Sequence, residues 1–326
     1  MNGLTLVTGA SGFIGRYLIH RLLHEGGPVR VLVRDPARLE SGLAPRLEVL
    51  QGDLCDGDSI GAAVRGARNV LHLAACARAW SRDPDEFRDV NIRATASLLE
   101  TAQRAGVERL VHVSTILALP AFRPAPIRGR AQRLTPYEES KIAGDRLAEE
   151  YAHDGLEVVI VHPTRVYGPG PLTDANAVTR VVAMYIAGRF RVRVADGDVE
   201  ANYVHADDVA LGIIRAAKHG RRGAHYVLGG RENLSFADFL NLVGHIAGRR
   251  RRCFAAPAGV ALAIARAAET WARLGGSTSI TPGWMRVFLE DRRADISSSR
   301  RELGYRPRSL RSGLSETIRW LRANGR

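Results

Sequence analysis

The sequence predicts an α/β fold: a doubly wound parallel sheet carrying a smaller, discontinuous C-terminal α/β domain. Apolar runs of strand length alternate with amphipathic stretches of helical period through the first half of the chain. The runs are continuously apolar rather than alternating, as strands are when helices cover both faces of their sheet. The first run also passes directly into a turn of spaced glycines that opens an amphipathic stretch.

In order, Leu4–Val7, Val29–Val33, Leu47–Leu50, Val70–Leu73, Leu110–Val113 and Val158–Val161 read as strands. Gly15–His24, Ile60–Val64, Ala94–Ala105 and Lys141–Ala152 read as the helices between them. After Gly168-Pro169-Gly170-Pro171 the pattern loosens. Val178–Ala187 reads as helix, Ala201–Ala217 as strand then helix, and Tyr226–Leu228 as a short strand. Ser235–Ala247, Val260–Leu274, Asp295–Gly304 and Leu314–Ala323 read as further helical segments. The division expected is one domain from 1–170 with 201–230 and a smaller one from 171–200 with 231–326.

With 326 residues, 45% hydrophobic and 25% charged, the chain has the composition of a soluble globular protein large enough for such a pair. Its start reads as a strand and not as a signal segment, and Ala255 to Ala265 is shorter than the ~20 apolar residues that span a bilayer. Cys55, Cys76 and Cys253 have neither disulfide-framework nor metal-ligand spacing, so no metal and a reducing cytoplasmic location are expected. The net charge of +13 is spread along the chain, and lysine occurs only at Lys141 and Lys218, so the excess is arginine usage rather than a nucleic-acid footprint. Arg249 to Arg252 is the one real cluster and reads as a solvated loop. Where arginine is written almost everywhere, Lys141 marks a place that a guanidinium does not fill.

Chemistry enters with Gly9-x-x-Gly12-x-x-Gly15. Glycines there let the backbone approach a pyrophosphate, and the following helix aims its first amides at it. At the tip of the second strand, where an acid would hold the ribose hydroxyls of NAD, the chain has Val33 and then Arg34. A guanidinium fits the 2′-phosphate of NADP by charge and fork geometry, with Arg38 near enough in sequence to assist. Asp53, after Gly52, is placed to accept from the adenine amino group, and Leu73-Ala74-Ala75 offers small side chains beside the cofactor. Tyr137 and Lys141 stand one helical turn apart on a common face. A neighbouring ammonium favours the phenolate and lowers the phenol's pKa. Ser114-Thr115, closing the fifth strand, offers a hydroxyl to the substrate oxygen.

Taken with His72-Leu73-Ala74-Ala75, Asn91, His162-Pro163-Thr164-Arg165-Val166-Tyr167-Gly168-Pro169-Gly170 and Tyr203-Val204-His205-Ala206-Asp207-Asp208-Val209-Ala210, these motifs resemble the extended short-chain dehydrogenase/reductases along essentially the whole chain. The resemblance implies a Rossmann-type sheet and a catalytic set of Thr115, Tyr137 and Lys141 supported by Asn91. It implies a cofactor set of Gly9, Ser11, Gly12, Phe13, Ile14, Gly15, Arg34, Asp53, Leu54, Leu73, Ala74, Ala75, Tyr137, Lys141, Pro163, Thr164 and Val166, with Pro163 and Thr164 bordering the nicotinamide. Thr115 stands where serine is commoner and keeps the hydroxyl. Val29 to Pro36 is similar to the dihydroflavonol reductase-like branch, and 3β-hydroxysteroid dehydrogenase-like and hopanoid-associated epimerase-like proteins are close in pattern. Ala201 departs from nucleotide-sugar enzymes, which usually place a diphosphate-holding arginine there; Arg189, Arg191 or Arg193 would have to replace it.

The expectation is an NADP-dependent reductase of a hydrophobic ketone or aldehyde, with small-molecule carbonyl or alcohol substrates and no nucleic-acid partner. An epimerase or dehydratase with a recycled cofactor, and a non-catalytic NADP-sensing protein, are the alternatives. Pro120 to Pro136, with Arg123, Arg128, Arg130 and Arg133, reads either as an active-site lid or as a variable surface loop. Ala258–Leu274 reads as core packing, as a greasy pocket lining or as a peripheral membrane contact. The resemblance also implies a homodimer through helices near 93–105 and 140–152, where Leu98, Leu99, Ala102, Leu147 and Tyr151 face either the partner or the sheet.

Overall fold

The computed structural model describes residues 3–325 apart from 79, 126–133, 195–198, 275, 277 and 279–280. Its first half alternates β1 (Thr5–Thr8), α1 (Phe13–Glu25), β2 (Val29–Val33), β3 (Glu48–Gln51), α2 (Gly57–Val64) and β4 (Asn69–His72). There follow α3 (Asp85–Arg88), α4 (Ala94–Arg104), β5 (Arg109–Val113), α5 (Pro136–His153) and β6 (Val158–Pro163). With β7 (Arg165–Tyr167), α6 (Ala177–Ile186), β8 (Val192–Val194), β9 (Glu200–His205), α7 (Ala206–His219) and β10 (His225–Leu228), the chain completes a seven-stranded sheet of order β10-β6-β5-β4-β1-β2-β3. All its pairings are parallel. The order reverses between β1 and β4, so the crevice at their C-terminal ends is the expected ligand position.

Adjacent residues of β1 explain the two layers. Val7 enters a core with Leu18, Ile19 and Leu22 of α1 and Val209, Ile213 and Ile214 of α7. Leu6 enters the opposite one, with Ile60 and Val64 of α2, Leu98 and Leu99 of α4 and Ala148 of α5. The alternation is the strand period of two. Leu98, Leu99 and Ala102 are buried against the sheet, with Leu147 and Tyr151 packed partly on the same core. Of the two readings of this stripe, the sheet-facing one is observed.

The rest comprises β11 (Asn233–Ser235), α8 (Phe236–Ile246), β12 (Phe254–Ala256), α9 (Ala258–Arg273), α10 (Pro282–Phe288), α11 (Ser297–Leu303) and α12 (Leu310–Ala323). β9 joins β7 in parallel and β11 antiparallel, and β12 joins β8. A third core forms around Tyr167, Tyr185, Tyr203, Phe239, Leu314 and Ile318. Ser299 donates to the Val227 carbonyl at 2.7 Å, and Leu303 and Tyr305 enter the core of the large sheet. This part of 231–326 therefore packs with the large sheet and not with the third core.

Two differences from the sequence reading have clear causes. α5 starts at Pro136, five residues before Lys141, because Thr135 and Glu138 form a capping box and Pro136 takes the first helical position. The three-residue strands β7, β8, β11 and β12 are too short to display a period.

Candidate active site

The glycine turn lies at the β1–α1 junction. Gly9 has φ 76°, and a side chain there would stand 2.6 Å from the Ala74 nitrogen and 2.8 Å from the Leu73 carbonyl carbon. A side chain on Gly15 would run into the Gly9 and Ala10 carbonyls. Gly12 caps α1 in an extended conformation, so the amides of Phe13, Ile14 and Gly15 head the helix at the switch point, with Ser11 beside them. Such a turn at a helix start can cradle a pyrophosphate. Leu73, Ala74 and Ala75 line its far side, half-buried, and the Thr8 hydroxyl accepts from the Ala74 amide at 3.3 Å.

Arg34 and Arg38 are exposed at the tip of β2, and neither makes an ion pair among the described residues. Asp53 is exposed after β3 while one of its oxygens accepts from the Cys55 amide at 2.9 Å. Leu54 is buried in the core beneath.

At the end of β5 the strand period separates two hydroxyls. Ser114 points under the sheet and donates to Asp145 at 2.8 Å. Thr115 comes next, on the other face by the strand period, and its hydroxyl accepts from the Leu117 amide at 3.3 Å and acts to lower the Tyr137 phenol. Ser114 is thereby committed to Asp145, and Thr115 is the hydroxyl that acts on the phenol. The Thr115 carbonyl is held from behind by His162 at 3.1 Å, whose other nitrogen meets His225 at 2.9 Å, and His225 reaches Glu149 at 3.0 Å. With Nδ1 of His162 donating to the carbonyl, Nε2 accepts from His225.

Lys141 is buried, and its Nζ donates to the Val113 carbonyl at 3.0 Å. Burial pulls its pKa down from 10.5 to about 8, with Asp145 acting in the opposite sense. Desolvation also pushes the half-buried Tyr137 phenol up to about 12, against the opposing effect of the Thr115 hydroxyl. The sequence reading expected a phenol lowered by its lysine; desolvation wins here, and the phenol carries its proton at neutral pH. Asp145 completes the face at the next turn, 3.3 Å from His112 and 3.9 Å from His162. Burial raises its carboxyl, but His112, His162 and Lys141 together bring it below the usual range. Burial keeps His162 down at about 4, so Lys141 is the cation this carboxylate faces at pH 7. Asp145 was readable as the third member of the series Tyr137, Lys141, Asp145; the histidines, which come from other strands, carried no local signal.

Asn91 is buried in a π-helical turn, accepts from the Cys76 amide at 2.8 Å, and donates to the Cys76 carbonyl at 3.0 Å and to Ser140 at 2.9 Å. It touches α5 and the loop after β4, not the phenol. Pro163 and Thr164 are buried at the end of β6, and the Thr164 hydroxyl is committed to Asn202 at 2.9 Å; Val166 is half-buried on β7.

Ala201 is buried on β9 and bridges to Arg292, whose amide donates to the Glu200 carbonyl at 2.8 Å. The Arg292 side chain is neutralised by Glu290 at 2.6 Å and donates to the Leu119 carbonyl at 2.6 Å. Arg191 and Arg193 bond the neighbouring carbonyls of Gly188 and Val194. Of the 120–136 segment, Phe122 and Arg123 pair with Asp291 and Ala125 packs on Leu262 and Leu289. Arg128, Arg130 and Arg133 lie outside the described residues. Among the described residues no group of His, Cys, Asp and Glu could hold a metal, and no helix is long and apolar enough to cross a membrane.

Residues 5–229 match the model of the NAD dependent epimerase/dehydratase family. Sterol demethylase protein B of Methylococcus capsulatus is 32% identical, with 98% of this chain and 99% of the relative covered. A 3 beta-hydroxysteroid dehydrogenase/Delta 5-->4-isomerase of Mycobacterium tuberculosis is 28% identical over 94% of this chain and 86% of its own length. The crystal structure of gox2253 superposes with a TM-score of 0.82 at 29% identity, covering 100% of this chain and 99% of that one. The chain belongs to the NAD dependent epimerase/dehydratase family as an NAD(P)-dependent oxidoreductase of the extended short-chain dehydrogenase/reductase type.

Proposed function

We propose that this protein is an NADP-dependent reductase of a ketone or aldehyde on a hydrophobic, lipid-like, steroid-like or aromatic small molecule. The observation that carries the reading is the Tyr137–Lys141 face of α5 at the end of β5 beside Thr115, with a phenol that keeps its proton at neutral pH and an ammonium held behind it on the Val113 carbonyl. The cradle of Gly9, Gly12 and Gly15 holds the pyrophosphate, and the free guanidinium of Arg34 takes the 2′-phosphate. Bound there, a reduced nicotinamide supplies the hydride. Thr115 orients the carbonyl, Tyr137 protonates the developing alkoxide, and Lys141 holds the nicotinamide ribose and supports the phenolate that forms. Asn91 is a positioning residue that ties Ser140 of α5 to Cys76. Ala201, with its neighbour Arg292 already neutralised, speaks against a nucleotide diphosphate. The sterol-related names of the two relatives support an apolar substrate.

Cofactor on 1–170 with 201–230 and substrate on 171–200 with 231–326 remain part of the proposal, with Ser297–Tyr305 assigned to the large sheet. So do a cytoplasmic location and a homodimer, which a monomer in sedimentation velocity would remove. The Tyr137→Phe variant is expected to lose roughly a thousandfold or more in NADPH-dependent turnover of hydrophobic carbonyls, while its NADPH affinity stays near wild type. Full activity in that variant would sink the mechanism.

The family's name favours one second reading, an epimerase or dehydratase that recycles a retained cofactor. Denaturing the purified protein and chromatographing what it releases separates the two. The reductase leaves little nucleotide, or a trace of NADP(H); near-stoichiometric NAD would establish the epimerase class and overturn the reading of Arg34.

A further inference from the structure

We infer that α9 and the strand pair before it form a docking surface for an anionic lipid bilayer. The inference concerns where the enzyme works and stands apart from the reaction proposed above. α9 has two unlike faces. Ala261, Leu262, Ala265 and Ala272 are buried, with Leu262 packed on Leu289 and Ala125. On the other side, Val260, Ile264, Ala267, Trp271 and Leu274 follow one another at four, three, four and three residues, one stripe of a helix. Its four large members are between 51% and 83% exposed. Phe254 and its register partner Val192, both exposed, extend the apolar surface across the strand pair at the start of the helix.

Charge selects the occupant. From Arg249 to Leu274 the chain carries Arg249, Arg250, Arg251, Arg252, Arg266 and Arg273 against one acid, Glu269, which is neutralised by Arg273 at 2.8 Å. Arg249, Arg250 and Arg252 are exposed just before Phe254, and Arg266 borders the stripe. An apolar stripe holding a tryptophan and fringed with arginine matches a helix lying in the plane of a bilayer. The indole sits at headgroup level and the guanidinium groups meet lipid phosphates. The four-three spacing also fits a second copy of the chain, but that pairing would press two identical arginine fringes together in a chain of net charge +13. The buried face of α9 packs on Ala125, in the segment between Thr115 and Tyr137, so a bilayer on the opposite stripe would lie one helix away from that segment.

The test is flotation of the full chain with vesicles of phosphatidylcholine alone and with about 30% phosphatidylglycerol, where roughly tenfold more bound protein is expected on the anionic vesicles and loss of binding in high salt. Tryptophan emission should shift to the blue on binding, and Trp271→Phe should remove that shift. Ile264→Glu with Trp271→Glu, and separately Arg249→Glu with Arg250→Glu, should each abolish flotation while leaving NADPH binding and the melting temperature near wild type. Absence of flotation on anionic vesicles, or flotation unaffected by both pairs of substitutions, overturns the inference. A dimer in sedimentation velocity that Ile264→Glu dissociates, with no flotation, assigns the face to a second copy and overturns it as well.

Discussion

An ammonium buried beneath a sheet gives up hydration that one carbonyl and a distant carboxylate only partly replace. That is why Lys141, bonded to the Val113 carbonyl, has its pKa pulled from 10.5 to about 8. Two consequences differ in sign. The lysine of the free enzyme loses its proton as pH rises through about 8, so kcat/KM for NADPH should fall above that point. Lys141→Arg, which stays charged, should flatten that limb while lowering the overall value, since a planar fork does not replace a compact donor. For stability, the unfolded chain binds more protons than the folded one between about pH 8 and 10.5, so this group's contribution rises with pH across that window. Lys141→Met should lack the rise in a series of urea titrations. A wild-type profile without either feature would mean that the lysine keeps its proton through another partner. The sequence marked Lys141 by rarity and by its spacing from Tyr137, but desolvation, which sets the pKa of both, depends on strands far away in the chain.

Helix α5 carries the phenol, the ammonium and Asp145 on one face, so its start fixes the site. The capping box of Thr135 and Glu138 is written in four adjacent residues and was legible in principle. The reading from Lys141 missed it because Pro136-Tyr137-Glu138-Glu139 shows no apolar period. The second duty of Glu138 was not legible. Its carboxylate is fully buried and bonds Arg286 of α10, which also bonds Glu290, while Arg292 closes the cluster on Glu290 at 2.6 Å. The residue next to Tyr137 is thereby clamped to a segment some 150 positions away. A buried cluster of this kind is close to neutral as a whole but costly to break from one side. Arg286→Met should therefore destabilise by about 3–5 kcal/mol, because two carboxylates lose their shared partner. Adding Glu138→Gln should cost less than the sum of the single changes. Strict additivity in denaturant titrations would show that the cluster is not one unit. The strand and helix alternation of the large sheet was legible because each element is long enough to show its period. The short pairs β7–β9 and β8–β12 that position Ala201 and α9 exist only through partners distant in sequence.

On the scale of the molecule, the cofactor crevice lies where everything else is joined. β1 and β4 diverge there, the two cores of the large sheet meet across β1, and Tyr17 of α1 donates to the Pro169 carbonyl at 2.6 Å, tying the glycine-turn helix to the strand that leads into the third core. Arg308, between α11 and α12, pairs with Asp207 and Asp208 at the head of α7, so the C-terminal segment grips the same half. A ligand that binds only the folded crevice therefore stabilises the whole chain, by about 2.7 kcal/mol at a concentration one hundred times its Kd. In a protein of this size that is a rise in Tm of roughly 4 °C. The rise should discriminate between cofactors if the exposed guanidinium of Arg34 reads the 2′-phosphate. At equal concentration NADPH should raise Tm by several degrees more than NADH. Arg34→Asp, which puts an acid where a ribose hydroxyl would otherwise donate, should reverse the order, and Arg34→Ala should shrink the difference without reversing it. Equal shifts for both nucleotides in the wild type would move the specificity to another residue. A larger shift with NADH would turn the whole reading toward a retained NAD and with it toward the epimerase chemistry of the family.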